Sequence, residues 1–368
     1  MHPNLKYWLG FNLINGIGPI TIKKLFDHFG SIEKAWFASL SEISTIEGLR
    51  KEPMNAFLNN REITDLDGEI DKLDNIKAIC FEEDNYPQNL KNIYDPPPVL
   101  YFNGDILPED ENAIAIVGTR KASNYGLAIA EKLSKELANY GFTIISGLAM
   151  GIDAAAHEGS INAGGRTIAV LGGGIDSIGP KCNLYIAEKI EKSGAIISEF
   201  PLGTQPDKTT FPRRNRIIAG LSKGVIVVEG LEDSGALITA RFAIDEGREV
   251  FAVPGNIDAE GSRGPHSLIK QGAKLVGSVE DVLEEFCEII PKPETRNSNK
   301  NRNPKLELGK ILTEDENIIY SALSREPKHI DLISAETQLH SWTASSLLMG
   351  LEIKKVVKQL PGKYFMIA

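Results

Sequence analysis

The residues best suited to chemistry in this sequence are glycines and arginines set at the ends of short apolar runs. Val117 leads into Gly118-Thr-Arg-Lys-Ala-Ser-Asn-Tyr-Gly126, Ile145 into Ser146-Gly-Leu-Ala-Met-Gly-Ile-Asp153, Leu171 into Gly172-Gly-Gly-Ile-Asp176 and Ile197 into Ser198-Glu-Phe-Pro-Leu-Gly203. Val228 runs into Glu229-Gly230 and Val253 into Pro254-Gly-Asn256. Glycine lets a ligand approach the backbone closely, and amides at the start of a helix attract anions. Turns of this kind, repeated along one edge of one sheet, describe a backbone-lined cleft for a ligand that carries phosphate. The first turn is spaced neither as GxGxxG nor as GxxxxGK[ST], so neither a dinucleotide pyrophosphate nor a P-loop is indicated.

Within the cleft the cations are specific in type. Arg120, beside the amides of Gly118 and Thr119, offers a planar fork of donors for bidentate phosphate contact, and the Ser123 hydroxyl can add a bond. Ser146, Gly147 and Gly173 sit at the neighbouring strand ends and are expected to line the same path. Lys181, in Gly179-Pro-Lys-Cys-Asn183, supplies a point charge. Phe211-Pro-Arg-Arg-Asn-Arg216 places three arginines beside an aromatic ring, and residues 206–216 hold four basic residues against one acidic. Phosphate contact and base stacking can come from one such stretch, so Phe211, Arg214, Asn215 and Arg216 are candidates for single-stranded nucleic acid. Asp153 and Asp176 are expected to cap the helices that follow them, and His157 is read as structural. There is no GxSxG elbow, HExxH pair or EF-hand loop, and the six histidines (2, 28, 157, 266, 329 and 340) form no metal spacing. No catalytic residue, metal or cofactor is expected.

Positioning these turns requires buried strands. Apolar, β-branched runs at Ile114–Val117, Phe142–Ile145, Thr167–Leu171, Ala195–Ile197, Val225–Val228 and Val250–Val253 are apolar on successive residues, as strands covered on both faces must be. Helical stretches such as Leu127–Tyr140 and Ala236–Glu246 lie between them, which predicts a doubly wound, mainly parallel α/β sheet over 71–290. Lys77–Phe81 and the proline-rich 93–105 read as an ordered lead-in strand and clamp. Residues 1–70 carry apolar positions at helical spacing (Leu5, Trp8, Leu9, Leu13; Ile22, Leu25, Phe26, Phe29) broken by Asn15-Gly-Ile-Gly-Pro19 and Ile46-Glu-Gly-Leu49, the pattern of a helix-hairpin-helix. Residues 291–305 have almost no apolar content and five Lys or Arg against one Glu, so 291–311 is expected to be a flexible linker. From 312 to 368 a capping box (Thr313 with Glu316), helical stretches at Ile330–Ala335 and Trp342–Leu351 and two strands about Pro361-Gly362 predict a winged helix.

Composition narrows the class. At 368 residues the chain has length for two or three domains, and 42% hydrophobic with 24% charged residues is globular. No apolar run approaches the ~18 residues of a membrane span, the first residues do not resemble a secretory leader, and Cys80, Cys182 and Cys287 stand far apart. A cytoplasmic protein with no membrane partner is expected. A net charge of −10 argues against a broadly basic coat and leaves room for one local basic groove.

Taken together, VGTRKASNYG, SGLAMGIDAAAH, AVLGGGID, SEFPLG, FPRRNRIIAGLS, SGALITARFA, GREVFAVPGN and GSRGPHSLIKQGAKLV resemble, in order from about Tyr86 to Leu283, the DNA-processing protein A family, DprA/Smf. The resemblance implies an extended Rossmann-like domain with an N-terminal helical (helix-hairpin-helix or SAM-like) domain and a C-terminal winged helix. It implies a non-enzymatic protein that binds single-stranded DNA, self-associates as a homodimer and helps load the RecA recombinase during DNA uptake or homologous recombination. The family's phosphate-gripping arginine falls on Arg120, its second basic contact on Lys181, and its arginine-asparagine-arginine motif on Arg214, Asn215 and Arg216. Self-association is expected at His266 and Ile269, three apart and so on one helix face, and at Leu275, which begins the strand that follows at an edge of the sheet. Two other classes compete. A nucleotide-acting enzyme of the lysine-decarboxylase-like phosphoribohydrolase type would need a PGGxGTxxE loop, which neither Val228-Glu-Gly-Leu-Glu232 nor Val253-Pro-Gly-Asn-Ile257 supplies. A transcription regulator would read duplex DNA with the winged helix. Its basic residues lie in the hairpin (Lys354, Lys355, Lys358, Lys363), whereas the Trp342–Leu351 helix has no Arg or Lys.

Overall fold

Strands that are apolar on every residue can sit only between two layers, and the structure places them there. The computed structural model describes residues 2–49, 51–286, 314–324, 328–337, 339–353, 357–360 and 362–367. The expected linker, Thr313 of the capping box, Cys287, Lys354 and Lys355 lie outside them. The chain divides into two compact units, Met1–Lys292 and Pro293–Ala368.

The first unit is built on nine strands: β1 (Lys77–Cys80), β2 (Val99–Gly104), β3 (Ala113–Val117), β4 (Thr143–Ser146), β5 (Thr167–Val170), β6 (Ala195–Ser198), β7 (Gly224–Val227), β8 (Glu249–Ala252) and β9 (Lys274–Leu275). They form one sheet in the order β1-β2-β6-β5-β4-β3-β7-β8-β9. β3 to β9 pair in parallel, with Ala115 opposite both Ile145 and Val225, whereas β1 and β2 add on antiparallel, β2 against β6. The sheet is thus Rossmann-like and mostly parallel. Alternation along β3 shows the two layers: Ile114 and Ile116 join a core with helices Asn124–Asn139 and Ile152–Asn162, while Ala113, Ala115 and Val117 join one with Thr210–Leu221 and Gly235–Asp245. Chain order runs outward from β3 to β6 on one side and from β7 to β9 on the other, so the reversal lies between β3 and β7.

Residues 5–71 form six helices, from Leu5–Leu13 to Leu66–Asp71. The Asn15–Pro19 turn bends as expected, with Gly16 at φ 88° and Pro19 opening the next helix. These helices share the unit of the sheet rather than forming one of their own. Leu5, Trp8, Phe11, Trp36 and Phe57 belong to the same apolar cluster as Cys80, Val99 and Tyr101 of the antiparallel strands and Ile186 and Ile190 of Leu184–Ser193. Asn12 ties the layers further by donating its side-chain N–H to the Glu199 carbonyl at 3.0 Å.

The second unit has helices Glu314–Ala322, Ile330–Thr337 and Ser341–Ile353 and three strands, β10 (Lys328–His329), β11 (Val357–Leu360) and β12 (Tyr364–Ile367), in the order β10-β12-β11. Its core gathers Ile319, Leu323, Ile333, Ala344, Leu348, Leu351, Val357 and Phe365. This is a winged helix with one more strand than expected: β10 is two residues long, too short for any periodic signal.

Candidate nucleic-acid interface

The glycine turns leave the carboxyl ends of parallel strands, and those after β3, β4 and β5 meet in one groove. The loop after β3 is held from both sides: the Thr119 N–H donates to the Glu229 carbonyl at 2.8 Å, and the Thr119 carbonyl accepts the Ile152 N–H at 3.3 Å. Arg120 is thereby projected outward, exposed, with its guanidinium carbon 4.8 Å from the centroid of the Phe211 ring. Phe211 stands on the first turn of Thr210–Leu221, whose start is fastened by Asp207 accepting from the Thr209 and Thr210 N–H groups at 2.6 and 3.0 Å.

Arg214 lies one turn further along and is 5% exposed. Its Nη1 donates to the Gly147 carbonyl at 2.6 Å and to the Val170 carbonyl, joining the ends of β4 and β5, and its Nε donates to Asn215 Oδ1 at 3.2 Å. Gly147 has to be glycine, since a Cβ there would overlap the Arg214 guanidinium. Asn215 donates onward to the Gly235 carbonyl at 3.1 Å. Two adjoining cavities, of about 230 and 310 Å³, both have Arg120, Ala149, Phe211 and Arg214 in their walls; Gly172, Gly173 and Pro180 complete the first and Gly118, Thr119 and Ser234 the second. Lys181 is exposed on the short 3₁₀ turn beside Pro180.

Charge in this groove is unbalanced. Burial pulls the Arg214 guanidinium below its ordinary pKa, with Asp153 opposing the shift and Arg120 adding to it. Among the described residues neither Arg120 nor Arg214 has a carboxylate within the 4.0 Å of an ion pair. Asp153 is itself pushed up by burial and accepts the Gly147 and Ala149 N–H groups at 3.1 and 3.4 Å. Two guanidinium groups thus share a groove walled by glycine backbone, with the Asp153 carboxyl also in its wall.

Several expected contacts are committed elsewhere. Arg216 lies two residues beyond Arg214, hence about 200° around the helix, and faces the interior. Its Nη1 donates to the Asp95 carbonyl at 2.6 Å, its Nη2 pairs with Glu199, and its Nε is 3.3 Å from Asp95 Oδ2. It fastens the lead-in segment rather than facing the groove. Ser146 is fully buried and donates to the Ile116 carbonyl at 2.6 Å. Ser123 caps Asn124–Asn139 and donates its hydroxyl to Glu229. Gly173 is buried beneath Thr204 and Pro206, its carbonyl accepting from Ser198, although it still forms part of a cavity wall. Asp153 is the second residue of Ile152–Asn162, not its cap, and Asp176 accepts the Gly203 N–H at 2.9 and 3.0 Å. His157 is buried, bonded through Nδ1 to Thr167, and its Nε2 has no partner. Met150, half exposed in the wall of the smaller cavity, and Glu229 escaped the sequence reading. An apolar residue at a loop tip was the available signal for the first; the second gives none.

Among the described residues no group of three or more His, Cys, Asp or Glu is placed to hold a metal ion, and no helix is long and apolar enough to cross a membrane. Fold and groove define the class: a Rossmann-like protein with a glycine- and arginine-lined groove at its strand ends that carries a winged helix. The sequence profile of DNA recombination-mediator protein A matches residues 77–287, and that of the DprA winged helix domain residues 304–363. The chain belongs to the DNA recombination-mediator protein A (DprA/Smf) family. Protein Smf of Synechocystis sp. is 35% identical over 97% of both chains, and DNA processing protein DprA of Bacillus subtilis 50% identical over 58% of this chain and 72% of its own. The X-ray structure of DprA from Streptococcus pneumoniae superposes with a TM-score of 0.69 at 39% identity, covering 76% of this chain and 97% of that one. The Helicobacter pylori protein, whose structure is described as revealing a unique single-stranded DNA binding mode, gives 0.53 at 28% identity over 59% and 97%.

Proposed function

We propose that this chain binds single-stranded DNA along the strand-end groove and delivers it to the RecA recombinase in transformation or homologous recombination, acting in the cytoplasm by binding rather than catalysis and without a cofactor. The observation that carries the reading is the pairing state of four neighbouring arginines. Arg216 is ion-paired with Glu199, and Arg213 approaches the same carboxylate at 3.7 Å. Among the described residues Arg120 and Arg214, the two that line the groove, have no carboxylate within ion-pair distance, and Asp153 acts on Arg214 only from further away. Phosphate supplies the missing charge, and Phe211 and Met150 offer apolar surface to an unpaired base. The DNA would run past Gly118, Thr119 and Arg120, over Phe211 and Arg214 with Asn215 behind, and past Gly147 and Gly173 to Lys181.

The same reading assigns self-association to the far edge of the sheet. β9 is the terminal strand, with Leu275 48% exposed and Ile269 half-buried on the helix Arg263–Lys270 behind it. His266 contacts Gly255 within its own chain, through Nε2 at 3.2 Å from the carbonyl. The test is a single preparation titrated with oligothymidine, duplex of matched length and free nucleotides at several salt concentrations. Tight binding of the single strand, weakening with salt by about 0.7 log units per log unit for each phosphate neutralised, is expected. Equal affinity for duplex overturns the proposal.

A further inference from the structure

Glu229 closes the first glycine loop from outside it. Two residues beyond β7, its carbonyl accepts the Thr119 N–H, while its carboxylate accepts the Ser123 N–H at 2.9 Å and the Ser123 hydroxyl at 2.5 Å. Ser123 in turn accepts the Gly126 N–H at 3.0 Å. A serine and a glutamate 106 positions apart thus form the reciprocal pair that a capping box builds from residues three apart. Glu229 is 7% exposed and lies against the first turn of Asn124–Asn139. A Cβ on Gly126 would fall 2.5 Å from its carboxyl carbon, and one on Gly261 3.5 Å from it.

That position has a chemical meaning. Chain order reverses between β3 and β7, and the crevice beyond such a pair, at the start of the next helix, is where Rossmann-like folds seat a nucleotide's phosphates. A glycine in the helix's first turn makes room for the anion, and here the anion is the chain's own carboxylate. Arg120 lines the groove on one side of the loop, whereas Glu229 lines a separate hollow of about 610 Å³ with Lys121, Tyr125, Asn256 and Ser262. We infer that Glu229 is a specificity-determining residue: it occupies the nucleotide-phosphate position, refusing free nucleotides, and pins the loop so that Arg120 is presented to the groove. This rests on the single-stranded DNA reading and adds what the site excludes.

The full chain with Glu229→Ala or Glu229→Gln is compared with wild type by calorimetric titration with ADP and with pyrophosphate, by oligothymidine anisotropy and by thermal melting. Wild type is expected to ignore millimolar ADP. Glu229→Ala should gain saturable ADP and pyrophosphate binding and lose about ten-fold in oligothymidine affinity as the loop is released. Glu229→Gln, equal in size and still able to accept from Ser123, should keep ADP out and hold oligothymidine affinity within about three-fold of wild type. ADP binding by wild type in the range of the alanine variant, or a folded Glu229→Ala that gains no phosphate ligand, overturns the inference. Should the alanine variant not fold, the glutamine variant decides: ADP entry there means size-matched occupation is not what excludes it. If wild type fails to bind oligothymidine, the DNA reading falls while the ADP comparison still decides the role of Glu229.

Discussion

Removing Arg120 isolates the groove's charge from the fold's stability. The side chain is exposed, makes no ion pair among the described residues and rests on Phe211 at 4.8 Å. Arg120→Ala therefore forfeits a cation–π contact of about 0.5–1 kcal/mol, felt mostly at the surface, and should leave the melting temperature close to wild type. What it forfeits in the complex is larger. A charge-assisted pair with phosphate is worth about 1.5–3 kcal/mol, roughly a 10- to 150-fold weaker Kd for oligothymidine. The salt dependence should also flatten by about 0.7 for each phosphate that is no longer neutralised. Arg120→Lys restores the charge but not the fork and should recover only part. Phe211→Leu keeps the arginine and removes its platform, so a two- to five-fold loss is expected. Fluorescence anisotropy at four or more salt concentrations reads all three variants. An alanine variant that binds as wild type does, with the same salt slope, would refute the assignment of phosphate to this loop.

Arg216→Ala removes the hydrogen-bonded partner of a carboxylate that is almost wholly buried and leaves Arg213 at 3.7 Å, so it should cost about 3 kcal/mol of stability in denaturant unfolding, the lower end for a broken buried pair; a stable variant with weak DNA binding would instead put Arg216 in the groove. Burial lowers the His157 pKa to about 3, with Arg214 adding to the shift, so the folded chain holds this ring neutral. Its contribution is complete above the unfolded pKa of about 6.5 and is lost as pH falls toward the folded value, about 2 kcal/mol between pH 7 and 5. Asp95, Asp153 and Glu199, all raised by burial, titrate in the opposite sense, gaining stability on acidification. The difference between wild type and His157→Asn across that window isolates the histidine, and parallel curves would mean it is solvated. Ile269→Glu with Leu275→Glu should give a folded monomer by light scattering that still binds oligothymidine; a wild type already monomeric at tens of micromolar, or a double variant that unfolds, overturns the assignment of these residues to an interface.

Buried parallel strands were the most legible part of the sequence. The six runs read from Ile114 to Val253 match β3 to β8 within a residue at either end, because covering both faces leaves no polar position to blur the boundary. The helix after β3 begins three residues before Leu127, since Ser123 caps it and the capping partner is far away in sequence. Local composition marks where cations cluster but not which way each points. Arg214 and Arg216 look equivalent in PRRNRI, yet a helix turns residues two apart to opposite faces, and only one meets the groove. Ser146 and Ser123 turn to the Ile116 carbonyl and to Glu229 for a related reason: small hydroxyl residues at strand ends serve the protein's own groups as readily as a ligand. The continuity of the amino-terminal helices with β1 and β2 left no trace, because apolar positions at helical spacing look the same whether they face another helix or a sheet.

That continuity bears on how the protein is made. Trp8, Phe11 and Phe57 share their cluster with Ile186, Ile190 and Ile196. The last of these leaves the ribosome about 140 residues after Phe57, roughly 7 to 28 s later at ordinary rates of synthesis. Through that interval the amino-terminal helices lack the part of their shared cluster that Ile186, Ile190 and Ile196 supply, so a segment made early is completed late. Ribosome-bound chains halted near residue 150 are therefore expected to leave this cluster incomplete, and synthesis past Ile196 to close it.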